Sequence, residues 1–329
     1  MRERPRGARP VPVPALLALA LALAAGLACK DPASVGALAD AGAKTADTLG
    51  AYYRSLADDL ETTAELETFL GSLRGTGSDA AAQELYQRQI AALGRRADLA
   101  DALAAAYTTL GQLAGSGAPA DAASAAATLA KSVESIPKLD DAGVDVSPLV
   151  GSLAGDLVRA LESRRLARAN LAMRDVVGKV AEMVEREMPI YEGIVEERGN
   201  KVGAVAETLI GDDVLDPQPL LDQVAQWTGL PLVAGAPVSP ELREALTRLG
   251  LARTWQKAHL SALAGRSVET ALESLERQHE AIAQRRGLDL AQVSAALDRA
   301  GVYLGEIESI VQEERAARSA GGATESGGT

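Results

Sequence analysis

The chain has one cysteine, Cys29, and only two histidines and one phenylalanine, Phe69, in 329 residues. A single cysteine excludes an intramolecular disulfide, so stability has to come from packing. His259 and His279 lie twenty positions apart, about 30 Å on one helix, too far to share a metal or a proton. No HExxH, no cysteine pair and no EF-hand loop occurs, so no metal site is predicted, and both histidines are expected to be solvated. Nor does any GxxxxGK[ST], GxGxxG or GxSxG stretch lie in a context that would bind a nucleotide or activate a nucleophile. No catalytic residue and no cofactor is therefore predicted. Aromatic residues make up 3% of the chain, and β-branched residues are sparse, which argues against strands.

Alanine and leucine instead dominate the 47% hydrophobic content. Both are strong helix formers, and small side chains let helices approach closely. The predicted class is all-α: long antiparallel amphipathic helices forming a helical bundle or coiled-coil-like hairpins.

Leu49, Tyr52, Leu56, Leu60, Thr63, Leu66, Leu70 and Leu73 recur at steps of three and four, predicting one helix over 33–73, frayed near Gly36 and Gly42. Gly75 and Gly77 end it, and Ser78 is the predicted N-cap of the next helix. Tyr86, Ile90, Leu93, Leu103, Tyr107, Leu110 and Leu113 carry that helix to Gly115, and the short connection implies an antiparallel hairpin. A third, alanine-rich helix spans 118–136, and the polar joint 138–146 separates the 34–137 hairpin region from a C-terminal region, 147–318.

Ser147-Pro148 is a helix start signal, predicting a helix to about Glu187, with Leu149, Leu153, Leu157 and Leu161 on its buried side. Pro189 should kink or restart it, and a further segment ends near Gly211. Residues 212–239 form an irregular, proline-rich insert. Ser239-Pro240 opens a helix to about Arg286, bent at Gly250 and Gly265. A last helix follows Gly287 and the N-cap Asp289, with Val293, Leu297, Val302, Leu304, Ile307 and Val311 inward. The Gly/Ser-rich tail 319–329 should be disordered.

Charge patterns mark surfaces. Glu182–Arg186, Glu197–Lys201 and Glu273–Arg277 are acid-before-base pairs four apart, which places them on solvent faces. The acidic clusters Asp58-Asp59-Glu61, Asp140-Asp141, Glu196-Glu197 and Asp212-Asp213 are expected to be solvated. Arg159, Arg164, Arg165 and Arg168 make a basic patch, which together with Trp227 and Trp255 is the candidate partner or ligand surface. Gly151–Gly155 has a small-xxx-small spacing suited to close helix packing. Residues 102–120 carry no charge, but threonines, glycines and Pro119 make them a buried helix and loop rather than a membrane span.

The N-terminus is different in kind. Arg2, Arg4, Arg6 and Arg9 precede an uncharged apolar run, 15–28, which reaches only about 21 Å as a helix and is short of a bilayer core. A basic start, a short apolar run and small residues describe a secretory signal, 1–28. The lone Cys29 follows Gly26-Leu27-Ala28. This resembles the lipobox of bacterial lipoproteins, which implies cleavage between Ala28 and Cys29, acylation of Cys29, and a short tether, 29–33. Gly26 departs from the leucine usual there. In that family the residue after the cysteine influences sorting, and Lys30 points to the outer membrane.

Loss of the signal removes four arginines and Glu3, moving the net charge from −12 to −15. So acidic a chain is expected to be a poor partner for nucleic acid or anionic lipid surfaces, both of which want lysine and arginine patches. The expected function is a non-catalytic, lipid-anchored helical scaffold or partner-binding protein of the cell envelope. Its partners would be the membrane through Cys29, an envelope protein and, through helix packing, a second copy. The alternatives are a membrane-active, pore-forming-like helical protein, an envelope enzyme using carboxylates, and a carrier with an apolar groove near the tryptophans.

Overall fold

The computed structural model describes residues 32–77, 79–115, 122–134, 159, 165–212, 221 and 239–323. Among these the chain is all-α: α1 Pro32–Leu73, α2 Ala80–Ala114, α3 Ala122–Glu134, α4 Leu166–Gly211, α5 Pro240–Ala283 and α6 Ala291–Ala323. The predicted signal, Cys29, Trp227, Arg164, the polar joint and the glycine pair at 151–155 lie outside the described residues.

Helix α1 begins on a proline, whose missing N–H costs nothing in a first turn. It ends where Gly75 and Gly77 take positive φ, 68° and 74°. The N–H groups of Thr76 and Gly77 return to the Gly71 carbonyl, closing the last turn. Asp79, rather than Ser78, caps α2: its carboxylate accepts from the Ala81 and Ala82 N–H groups. An anionic cap also suits the positive end of the helix dipole. Gln83 then donates to the Ala64 carbonyl, Arg54 meets Asp101, and Tyr107 lies on Gly42, so α1 and α2 are antiparallel neighbours as expected.

Two boundaries differ from expectation. Helix α4 opens at Arg165, which is extended (φ −98°, ψ 94°) and has no side-chain cap. A single helix from 147 to 187 is therefore ruled out, although no breaker residue near 165 announces the interruption. At Pro189 the helix continues, although the ring removes one i→i−4 bond. Met188 and Tyr191, buried on either side, hold the segment in register.

Helix α5 starts as predicted, with Ser239 Oγ accepting the Leu242 N–H and Pro240 in the first turn. It ends at Ala283, where Arg285 takes a left-handed φ of 57° two residues before the predicted breaker, Gly287. Asp289 Oδ1 accepts the Ala291 N–H and opens α6. That helix runs to Ala323, so 319–323, expected to be disordered, are helical. Val302 is 57% exposed and Leu73 40%; both fall off the stripe onto solvent faces.

Side-chain pairings fix the directions. Tyr53 of α1 meets Tyr191 of α4, and Asp59 meets Arg198 six and seven residues further on, so these two helices are parallel. Lys257 of α5 reaches Asp59, whereas His279 reaches Tyr107, so α5 runs opposite to α1. Helix α6 returns along α5, and α3 lies against α2 with Leu129 buried. One continuous apolar core takes residues from all six helices.

Close approach explains two of the glycines expected to fray or bend helices, Gly42 and Gly265. Gly42 is buried, and a methyl placed on it would overlap the Tyr107 ring. A methyl on Gly265 would meet the Tyr52 hydroxyl and lie 3.0 Å from Met188 Sδ. Gly94 has no atom within 4 Å of such a methyl. Gly94→Ala should therefore stabilise the fold by about 0.5–1 kcal/mol through helix propensity. Gly42→Ala should destabilise it by about 1–3 kcal/mol through overpacking. Urea unfolding of the two variants checks both signs.

Candidate functional site

Polar side chains inside this core gather into three layers, each joining the α1–α2 hairpin to α4 and α5. The middle layer contains a buried ion pair. Arg96 and Glu187 have fully buried side chains and form a two-pronged pair, Nε–Oε2 at 2.8 Å and Nη2–Oε1 at 2.5 Å. Arg96 Nη1 also donates to the Ala92 carbonyl. Burial opposes the guanidinium charge, but the Glu187 hydrogen bonds outweigh it and hold the Arg96 pKa above its ordinary value. The Tyr191 hydroxyl donates to Glu187 Oε2 at 2.6 Å and stands 3.4 Å from the Tyr53 hydroxyl. Burial, then the neighbouring Tyr53 and Glu187, raise the Tyr191 pKa well above that of a free phenol. Tyr52, Tyr53 and Tyr191 pack with ring centroids 5.8–6.2 Å apart, in tilted and edge-on contacts.

Towards the α1 C-terminus, Asp59 Oδ1 accepts a hydrogen bond from Lys257 Nζ at 2.5 Å, and Arg198 Nε stands 3.3 Å from the same oxygen as an ion pair. All three side chains are at least nine-tenths buried. Asp59 had been expected in a solvated cluster; instead it joins α1, α4 and α5. Nearby, Tyr86 donates to Glu197 at 2.6 Å and Lys201 pairs with Glu67. The predicted Glu197–Lys201 pair is thus replaced by two bonds that cross between helices. Glu182–Arg186 and Glu273–Arg277 do form.

Towards the α1 N-terminus, His279 is fully buried, contrary to the expectation of a solvated ring. The Asn170 amide donates to the His279 carbonyl at 3.0 Å, which turns its Oδ1 to accept His279 Nδ1–H at 2.9 Å. His279 Nε2 is then left to accept the Tyr107 hydroxyl at 2.9 Å. The imidazole is neutral with both nitrogens satisfied, and burial, aided by the Arg174 charge, lowers its pKa to about 3. His259 is exposed as predicted.

These layers have the residue types of an acid–base site but the placement of joints. Each carboxylate is bound to a cation or a phenol and buried among helices. Among the described residues no group of histidines, cysteines and acids could hold a metal ion, and no helix is long and apolar enough to cross a membrane. No protein-family model, curated protein or solved structure matches the chain.

Of the partner surface expected from sequence, Trp255 is 44% exposed and lies against Gly199. Arg165 and Arg168 are exposed at the start of α4. Gly199 is thirty-four residues from Arg165 along that helix, about 51 Å, so the tryptophan and the arginines belong to opposite ends and form no single surface.

The residues of the three layers escape a reading that assigns charge to solvent, yet a signal is present. Arg96 occupies the stripe Leu93, Arg96, Ala100, Leu103, and Asp59 stands between Leu56 and Thr63. Glu187 and Arg198 continue Val180, Val184, Tyr191 and Ile194, while His279 follows Leu272 and Leu275. A charged or polar residue at an apolar register position is the mark of a buried joint.

Proposed function

We propose that the chain is a lipid-anchored bacterial envelope protein that acts as a non-catalytic helical scaffold or partner-binding body. The observation that carries this reading is the sole cysteine, Cys29, at the exit of a short apolar run and three residues before Pro32, where α1 begins. Three residues span at most about 10 Å, so an acyl group on Cys29 would attach almost directly to the helical body. Three acyl chains would hold it stably, since each buried methylene contributes about 0.8 kcal/mol and one chain is not enough. The polar layers favour a scaffold role, because their acids and bases cross-link helices. Of the predicted partner surface, Trp255 is the described aromatic residue, and the envelope protein or second copy would bind there.

Intact mass spectrometry of the protein extracted from its native membrane tests the reading. The expected mass is that of a chain starting at Cys29 plus acyl groups. A chain that starts at Met1, or carries a free thiol at position 29, overturns it.

A further inference from the structure

We infer that the end of the body next to the anchor is a docking face for anionic phospholipid headgroups, so that the protein stands upright on its bilayer. This rests on the Cys29 attachment proposed above and adds to it the surface that meets the lipid and the direction in which the body points.

The layer of Tyr107, Asn170 and His279, with Gly42 against Tyr107, fixes which chain ends lie together. From it α1 runs back ten residues to Pro32, α4 runs back five to Arg165, and α5 runs on four to its end at Ala283, directly before the turn that carries Arg285 and Arg286. Because α1 and α4 are parallel and α5 is opposed, all three lead the same way. Their helical ends reach about 15, 8 and 6 Å past the layer. Pro32, the first described residue after the anchor, therefore shares one end of the molecule with Arg165, Arg168, Arg285 and Arg286.

All four arginines are exposed. Those at 165 and 168 come from the opening of α4, those at 285 and 286 from the turn between α5 and α6. The acids on the same segments are Asp40, Glu280 and Asp289, and Glu280 is already bound by Arg174. Among the described residues of these segments the arginines outnumber the acids, on a chain whose total charge is strongly negative. The contrast matters because electrostatic attraction to a bilayer decays within about 8 Å at physiological salt. Helix α4, with 46 residues, is about 69 Å long. Acids such as Glu65, Glu207 and Asp212, near the opposite end, do not sense the headgroups when the body is upright, but would approach them if it lay flat. Basic residues near an anionic leaflet are attracted to it, so four of them acting together favour the upright state. A tether of about 10 Å cannot present any other end to the membrane without tipping the whole body over.

The mature chain, coupled through Cys29 to a maleimide lipid in a supported bilayer, supplies the test. Chemical coupling makes the result independent of native acylation, so failure here and failure of the lipoprotein reading are distinguishable. On a bilayer of 30% phosphatidylglycerol in phosphatidylcholine, neutron reflectometry should show a protein layer about 70 Å thick. Adding 0.5 M NaCl, or replacing the four arginines (Arg165→Glu, Arg168→Glu, Arg285→Glu, Arg286→Glu), should reduce the thickness by at least a third. The salt arm requires no variant to fold. A flat layer on the anionic bilayer, or a thickness unchanged by salt and by charge reversal, overturns the inference.

Discussion

Replacing Glu187 by glutamine is expected to cost about 3–5 kcal/mol of stability, a large share of what holds a domain of this size folded. The change is nearly isosteric, so no cavity is created. What it leaves is a guanidinium with a fully buried side chain and no counter-charge at its two-pronged partner. Arg96→Met strands the opposite charge and should cost a similar amount. The double variant Arg96→Met/Glu187→Met removes both charges together, and replacing a buried pair by apolar groups of similar volume is often neutral or stabilising. It should therefore be more stable than either single variant by at least about 2 kcal/mol. Urea unfolding at neutral pH, followed by circular dichroism, measures all four corners of the cycle. A loss below about 1 kcal/mol for Glu187→Gln would show that Arg96 finds another partner and that the pair does not lock the helices.

The double variant also separates stability from specificity. Apolar side chains in alanine- and leucine-rich helices can slide by a turn with little change in buried area. Polar layers cannot, because each needs its own partner opposite. Along α4 they fall at Asn170, Glu187 and Arg198, about 25 and 16 Å apart. A shift of α4 by one turn, about 5.4 Å, would strand every layer at once. The three layers thus set the register in which the α1–α2 hairpin meets α4 and α5.

Much of this architecture was legible in the residues. The glycine pair after α1, the Ser239-Pro240 start of α5 and the antiparallel hairpin follow from turn and capping chemistry that acts over a few residues. The class follows from composition. The cross-chain joints do not, because Asp59 and Lys257 are 198 residues apart and nothing local tells a charge that will be paired from one that will be solvated. The stripe position of such residues signals burial; only the packed structure supplies the partner. The start of α4 at Arg165 was hidden for the opposite reason, since its local sequence carries helix formers on both sides and no breaker. The separation of Trp255 from the arginines likewise depends on how far apart two ends of a long helix are, which a list of exposed residue types does not contain.

Acid should loosen the molecule through His279 well before most carboxylates protonate. The ring has a pKa of about 3 when folded and an ordinary value near 6.5 when unfolded. A depressed folded pKa means that the unfolded chain takes up the proton first. The contribution is complete above about pH 6.5 and is lost as pH falls towards 3, at up to about 1.4 kcal/mol per pH unit. Between pH 7 and pH 4.5 this amounts to about 2.5 kcal/mol. The groups facing the ring are the Tyr107 hydroxyl on α2 and Asn170 on α4, and the Arg174 charge on α4 acts on it. None of them supplies an anion that would stabilise an imidazolium there, and the Arg174 charge opposes one. His279→Gln keeps a polar group in the layer but cannot titrate, so it should be less stable at neutral pH yet lose about 2.5 kcal/mol less than the parent on going to pH 4.5. Urea midpoints of the two proteins at both pH values check this. If the parent and His279→Gln lose stability in parallel, His279 is protonated inside the folded protein and the hydrogen-bond assignment of this layer is wrong.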